Sequence, residues 1–331
     1  MSGDPSAPVA ALDCGTNSTR LLIVDGSGRA LERQMRITRL GQGVDATHLL
    51  AADAISRTVG VLGDFRRTMD HHGVGRARLV ATSAVRDAAN ASEFLDRARR
   101  ATGVEPEVLS GSEEGRLSFA GATAGLDIEA GAAAAGPVLV VDIGGGSTEL
   151  VAGFPRTDGE VAEVAAVSLD VGCVRVTERF LHHDPPTSEE LDAARRSIDA
   201  GLAEARAELP RLSPDGLLVG LAGTVSTLAS LAQELSTYER DRIHHYELSR
   251  REVEDWLGRL ATDDRTGRLA RPGMVPGRED VIVGGVLVLD AVMEGLGRHR
   301  CLVSEDDILD GLVAGLRVQP GVRDPTRPDA F

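Results

Sequence analysis

The feature that most constrains this chain is a short motif that occurs twice. Residues 138–153 run from an apolar stretch, Val138 to Val141, into Asp142, three glycines (Gly144, Gly145, Gly146), Ser147, Thr148 and Glu149, and then into a second apolar stretch from Leu150. This pattern predicts a strand–turn–strand hairpin whose glycine-rich turn presents a concave row of backbone N–H groups, a donor set suited to phosphate oxygens. Asp142, at the strand end, repels phosphate and is instead placed to hold a hard cation, Mg²⁺. A single motif of this kind is a weak signal, because most glycine-rich hairpins bind nothing. The copy 129 residues earlier changes the weight: Asp13 overlays Asp142, Gly15 overlays Gly144, Ser18 overlays Ser147, Thr19 overlays Thr148 and Leu21 overlays Leu150. Turn chemistry alone does not duplicate a loop between apolar strands. Two related domains, each offering a phosphate loop and a carboxylate to one cleft, account for it.

At 331 residues and 42% hydrophobic the chain is long enough for two cores. The expected division is 7–126 and 127–318, with Ala/Gly-rich residues 126–137 as linker and the proline-bearing tail 319–331 loose. Met1 to Pro8 lacks the apolar segment of a signal peptide, and no stretch reaches the roughly 20 apolar residues of a membrane span. Three scattered cysteines (Cys14, Cys173, Cys301) form no C-x-x-C pair, so the expected compartment is the cytoplasm. A net charge of −15, from 51 acidic and 36 basic residues, argues against nucleic-acid binding. A polyanionic substrate would have to meet positive charge concentrated in its site. All the basic residues counted are arginines, so a Walker A loop, which needs lysine, is excluded.

The periodicity predicts an α/β chain. Residues 8–14, 18–25 and 30–39 read as three meandering antiparallel strands. Ile55, Val59, Leu62, Phe65 and Met69 recur at helical spacing over 51–72. A strand at 78–81 follows, then a helix through Arg100 opened by Asn90 and Glu93 as a capping box, a strand at 107–109, and a helix beginning Glu113-Glu114. The second half repeats the hairpin and a third strand near 164–167. It continues with a helix over 188–208, a buried strand ending in the turn Gly223-Thr224, a helix from Val225, a helix over 250–259 capped by Ser249, a polar loop over 263–278, and an apolar helix over 280–295. A strand over 299–304 and a helix over 308–317 complete it.

Five segments in this order, Leu12-Asp13-Cys14-Gly15-Thr16-Asn17-Ser18, Ala81-Thr82-Ser83-Ala84-Val85-Arg86-Asp87-Ala88, Leu109-Ser110-Gly111-Ser112-Glu113-Glu114-Gly115-Arg116, Asp142 to Glu149, and Gly220 to Thr224, resemble the exopolyphosphatase/guanosine-pentaphosphate phosphohydrolase family over about residues 9–315. The resemblance implies two actin-like (ribonuclease H-like) ATPase-superfamily domains flanking an interdomain cleft, in the short form without the HD-type domain of longer members. It implies hydrolysis of the terminal phosphate of inorganic polyphosphate, or of the 5′-phosphate of guanosine pentaphosphate. Glu114 occupies the place of the family's catalytic glutamate, and Glu149 faces the cleft as a second catalytic carboxylate. Asp13 and Asp142 look like the carboxylates associated with Mg²⁺, with Mn²⁺ as the other metal to test. Arg20 and Arg86 look like phosphate clamps, and Gly15, Thr16, Asn17, Ser18, Gly144, Gly145, Gly146, Ser147, Thr148, Gly223 and Thr224 supply phosphate-binding groups. Relatives of the short form commonly dimerise, which makes a homodimer the expected assembly. One departure stands out: the family's Ser-x-x-Gly-Leu-Arg-Glu-Gly reads Ser304-Glu-Asp-Asp307-Ile-Leu309-Asp310-Gly311 here, with leucine in place of arginine.

Blander readings compete at several positions. Glu113-Glu114 at a helix start would complement the helix dipole without any catalytic role. The doublets His71-His72, His182-His183 and His244-His245 chelate poorly if adjacent side chains diverge. Cys14 points away from Asp13 along a strand and reads as a packed thiol. Arg265, Arg268, Arg271 and Arg278 read either as a track for a polyanion or as a solvated loop. Outside the hydrolases, an actin-like kinase or ATPase and a non-catalytic sensor of polyphosphate or of the alarmone are the competing functions.

Overall fold

The computed structural model describes residues 7–126, 137–155, 161–210, 212 and 216–317; the linker and tail expected from the sequence lie outside them. The chain divides into two compact units, the second being Ala122–Asp307 and the first the remainder.

The first unit contains β1 (Val9–Cys14), β2 (Ser18–Val24), β3 (Ala30–Ile37), α1 (Val44–Thr47), α2 (Ala52–His71), β4 (Arg76–Ala81), α3 (Ser83–Arg86), α4 (Ala91–Thr102), β5 (Pro106–Val108) and most of α5 (Gly111–Thr123). Its sheet runs β3-β2-β1-β4-β5. The first three strands form an antiparallel meander, and β4 and β5 add in parallel. β1 is buried along its whole length, as a central strand covered on both faces must be. Its side chains alternate: Ala10, Leu12 and Cys14 pack with Ile55, Leu62 and Phe65 of α2 and Phe94 of α4, while Val9 and Ala11 face the opposite cluster. The Asn90–Glu93 capping box is not formed. Asn90 is spent pinning a distant loop, its side-chain oxygen accepting from Leu50 N at 2.8 Å and its amide donating to Leu50 O at 3.0 Å.

The second unit contains β6 (Val138–Ile143), β7 (Thr148–Pro155), β8 (Val161–Leu169), α6 (Cys173–Phe180), α7 (Ser188–Glu208), β9 (Leu218–Leu221), α8 (Ala222–Ala232), α9 (Arg240–Ile243), β10 (Glu247–Ser249), α10 (Arg250–Thr262), α11 (Arg265–Ala270), α12 (Ile282–Gly295) and β11 (Arg300–Val303). Its sheet runs β10-β11-β9-β6-β7-β8. Read from β8, the first five strands repeat the order and the strand directions of the first unit, so the duplication seen in two short loops extends to whole sheets. The structure is α/β with two ribonuclease H-like units. α6, α9, β10 and α11 are absent from the sequence reading; all are short, and α11 lies in the segment read as loop. Ser249 does cap α10, forming a full capping box with Glu252.

The last helix, α13 (Ile308–Arg317), which the sequence division grouped with the second half, packs on the first sheet. Ile308, Leu309, Leu312 and Val313 join Val9, Ala11, Leu22, Val24 and Val80 in one apolar cluster. Gly311 permits the approach, since a Cβ there would lie 2.2 Å from the Leu117 carbonyl oxygen.

Candidate active site

In each unit the parallel strands end together, and the chemistry-bearing loops leave from their carboxyl ends, where open α/β sheets place ligands. In the first unit Cys14, Ala81 and Val108 are register neighbours. The hairpin turn, the Thr82–Arg86 turn and the start of α5 therefore emerge side by side.

The two hairpin turns close identically: Gly15 N donates to Ser18 O at 3.0 Å, and Gly144 N donates to Ser147 O at 3.0 Å. Each is held from behind through its carbonyls. Thr16 O accepts from Gly41 N, and Asn17 O accepts from Thr38 N and Arg39 N. Gly144 O accepts from Cys173 N, and Gly145 O accepts from Val174 N and Arg175 N at the start of α6. Using the carbonyls this way leaves the opposite, N–H side of each loop to a ligand. In the first hairpin the Asn17 side-chain amide nitrogen is buried without a hydrogen-bond partner, as expected of a donor that awaits one. Thr148 is otherwise employed, its hydroxyl donating to Val171 O at 2.5 Å.

The hairpins differ in charge at one position. Across β1 and β2, Asp13 faces Arg20, which donates to Asp13 Oδ2 from Nη2 at 2.7 Å and from Nε at 3.0 Å. The 129-residue offset puts Glu149 where Arg20 stands, and across β6 and β7 Asp142 faces Glu149. Asp142 and Glu149 are 8% and 1% exposed, and Ser168 donates to Glu149 Oε1 at 2.8 Å. Like charges directly opposite on neighbouring strands are unfavourable. Two buried carboxylates on one face offer hard oxygen donors to a divalent cation. The first hairpin carries its own cation in Arg20. Among the described residues no group of three or more His, Cys, Asp or Glu side chains forms a metal cluster, so a metal here would complete its shell with water and phosphate oxygens.

The paired glutamates at the start of α5 divide their tasks. Glu113 caps the helix: its Oε2 accepts from Ser110 N at 2.8 Å and from the Ser110 hydroxyl at 2.6 Å, and Ser110 Oγ accepts from Glu113 N. The Ser110 hydroxyl and backbone hold the Glu113 carboxyl below its usual range. Glu114 meets Arg86 instead. Its side chain is 12% exposed, with Oε2 3.4 Å from Arg86 Nη1, and Arg86 Nη1 also donates to Leu109 O at 2.7 Å.

In the second unit the register partner of Asp142 on β9 is Leu221, so the turn Gly223-Thr224 lies beside the second hairpin. Ala222 takes φ 65°, a left-handed conformation for a residue with a side chain. The Arg278 guanidinium rests on Gly223, where a Cβ would lie 1.8 Å away. Burial pushes the Cys173 thiol up, while the charge of Arg278 and a hydrogen bond to Thr224 act in the opposite direction.

The other arginines of the loop are structural. Arg265 pairs with Glu279, buried Arg268 pairs with Asp184 and donates to Glu279 O at 2.7 Å, and Arg271 pairs with Asp263. Arg278 alone of the four sits at a site turn. Burial raises the thiols of Cys14 and Cys301, the latter to about 12, so both are packed thiols rather than nucleophiles. The histidine doublets join no metal cluster among the described residues, yet divergence is not the reason at His244 and His245. Those rings stack at 3.7 Å, because His245 takes φ 64°. Sequence reasoning missed Gly172, whose lack of a side chain lets α6 approach the second hairpin: a Cβ there would lie 2.4 Å from Gly145 O. A lone glycine before the mixed segment Cys173–Phe180 was its only sequence trace.

Known proteins resemble this chain over nearly its whole length. A model of the Ppx/GppA phosphatase family matches residues 22–316. The chain is 44% identical over 324 residues to exopolyphosphatase 2 of Mycobacterium tuberculosis, covering 93% of this chain and 98% of that protein. Among solved structures, an exopolyphosphatase-like protein superposes with a TM-score of 0.86 at 35% identity, covering 94% of this chain and 99% of the other. The type II variant of the Aquifex aeolicus Ppx/GppA phosphatase superposes with a TM-score of 0.70 at 31% identity, covering 93% of this chain and 98% of the other.

Proposed function

The chain belongs to the Ppx/GppA phosphatase family, and from that premise we propose that it is an exopolyphosphatase, hydrolysing the terminal phosphoanhydride of inorganic polyphosphate with Glu114 as the base. The observation that carries the reading is the division of labour at α5: Glu113 is consumed by capping, whereas Glu114, nearly buried, is turned onto Arg86. The arrangement suits an in-line displacement. Each hairpin offers its loop donors to phosphate, Thr16, Asn17 and Ser18 in the first and Gly145, Gly146 and Ser147 in the second, while Gly15 and Gly144 spend their N–H groups closing the turns. Arg86 takes the planar, bidentate role that phosphate oxygens favour. Asp13 holds the Arg20 guanidinium beside the first hairpin, where its charge favours phosphate. A water held by Glu114 attacks phosphorus, its proton passes to the Glu114 carboxylate, and the P–O bond to the shortened chain breaks. Asp142 and Glu149 would hold Mg²⁺, which would neutralise charge on the phosphate. Gly223, Thr224 and Arg278 receive the next phosphates of the chain.

The 5′-phosphate of guanosine pentaphosphate presents the same anhydride and is the second reading; the relative at 44% identity, an exopolyphosphatase by name, favours the first. Phosphate release under Mg²⁺ from pure short-chain polyphosphate, long-chain polyphosphate and guanosine pentaphosphate separates the two. Faster turnover of the inorganic chains supports the proposal, and turnover of the nucleotide alone overturns it. ADP formation dependent on an acceptor would indicate a kinase instead, and tight binding without release would indicate a sensor.

A further inference from the structure

The Gly223-Thr224 turn begins under backbone strain, since Ala222 at φ 65° occupies a region that a residue with a Cβ rarely adopts. Such a conformation persists only where its surroundings hold it. Two restraints reach it from the loop after β11. Ser304 N donates to Gly220 O at 2.9 Å. Next to it, the Glu305 carboxylate bridges two hydroxyls: Oε1 accepts from Ser226, in the first turn of α8 and two residues beyond Thr224, and Oε2 accepts from Tyr238. The backbone of Glu305 is itself anchored, its N–H donating to His244 Nδ1 at 3.1 Å. Its neighbour Asp306 is held by Arg240 and by the Ser304 hydroxyl. Burial and the adjacent Glu305 raise the Tyr238 phenol above its usual range, keeping it a donor.

We propose that Glu305 is a positioning residue for the reaction: by clamping Ser226 to Tyr238 it fixes the strained start of α8, and with it the Gly223-Thr224 turn and the Arg278 guanidinium that rests on it. The proposal depends on the reading of that turn as the seat for phosphates beyond the one being cleaved. Because those phosphates do not react, loosening the turn weakens substrate binding in the ground and transition states alike, which raises KM and spares kcat.

The test is steady-state kinetics on inorganic tripolyphosphate for Ser226→Ala, Glu305→Ala, the double variant and Glu305→Gln, with Tm measured for each. Ser226→Ala and Glu305→Ala are each expected to raise KM about tenfold, the worth of one charge-assisted hydrogen bond, with kcat within about twofold. The double variant should be no worse than Glu305→Ala, since both remove one clamp. Glu305→Gln, which keeps the shape and a bridging capacity, should recover most of the KM. Unchanged KM in both single variants, or KM and kcat worsening together in step with Tm, would overturn the proposal. If the wild-type protein releases no phosphate, the proposed hydrolase activity fails separately. Calorimetric titration with tripolyphosphate then decides the positioning role: weaker binding by Ser226→Ala than by wild type upholds it, and equal binding refutes it.

Discussion

Two glutamates adjacent in sequence carry different burdens, and the distinction can be tested one side chain at a time. Glu114→Gln should lower phosphate release by about 10²–10⁴-fold, the contribution of one positioned base, while leaving Tm unchanged. Glu113→Ala should do the reverse, keeping most activity and costing about 0.5–2 kcal/mol through the lost cap. The sign of the pH effect follows from the same bonds. Ser110 lowers the folded-state pKa of Glu113, so this group adds stability above its unfolded value near about 4.3 and loses it as pH falls through the folded one. Ser110→Ala should therefore narrow the stability difference between neutral and acid pH. A Tm–pH profile that parallels the wild type would contradict that assignment. Residue type alone left the pair ambiguous, since both residues suit a helix start, and only the family resemblance pointed to Glu114. The hydrogen bonds give the physical distinction: Glu113 caps and Glu114 meets Arg86.

At the scale of elements, the hairpins were legible because each pairs apolar strands with an acid–glycine–hydroxyl turn, and the structure shows them closing through equivalent bonds. Helices with strong stripes, such as α2 and α7, were equally legible. What stayed hidden was how one element braces another. Asn90 has the residue type of a cap, yet a loop forty positions away competes successfully for its side chain. Arg268 and Arg271 read in sequence either as a polyanion track or as a solvated loop, yet Asp184 and Glu279 O consume the first and Asp263 the second. Gly172 matters for what it lacks. Gly172→Ala would drive a methyl group into the Gly145–Gly146 backbone, with a Cβ 2.6 Å from Gly146 N. Since backbone cannot yield as a flexible side chain does, we expect Gly172→Ala to lower Tm and to raise KM for polyphosphate at least tenfold. Kinetics equal to the wild type would show that the second hairpin tolerates displacement.

At the scale of the whole molecule, the chain returns at its end to the sheet it began with, and this explains the one departure from the family pattern. Leu309 is 1% exposed within the cluster joining α13 to β1, β2 and β4, so its replacement of arginine is a packing event in the first unit. Leu309→Ala should cost about 2–5 kcal/mol in denaturant unfolding, with the ratio of polyphosphate to guanosine pentaphosphate turnover unchanged; a shifted ratio would return the residue to substrate recognition. The central claim is that phosphate release needs both hairpins. The most direct test is phosphate release from tripolyphosphate by two near-isosteric variants, Asn17→Asp, which puts a carboxylate in the first loop, and Asp142→Asn, which removes one from the second. If both hairpins are needed, either change alone lowers kcat/KM by about 100-fold or more; a variant that keeps roughly half the wild-type activity would contradict the account.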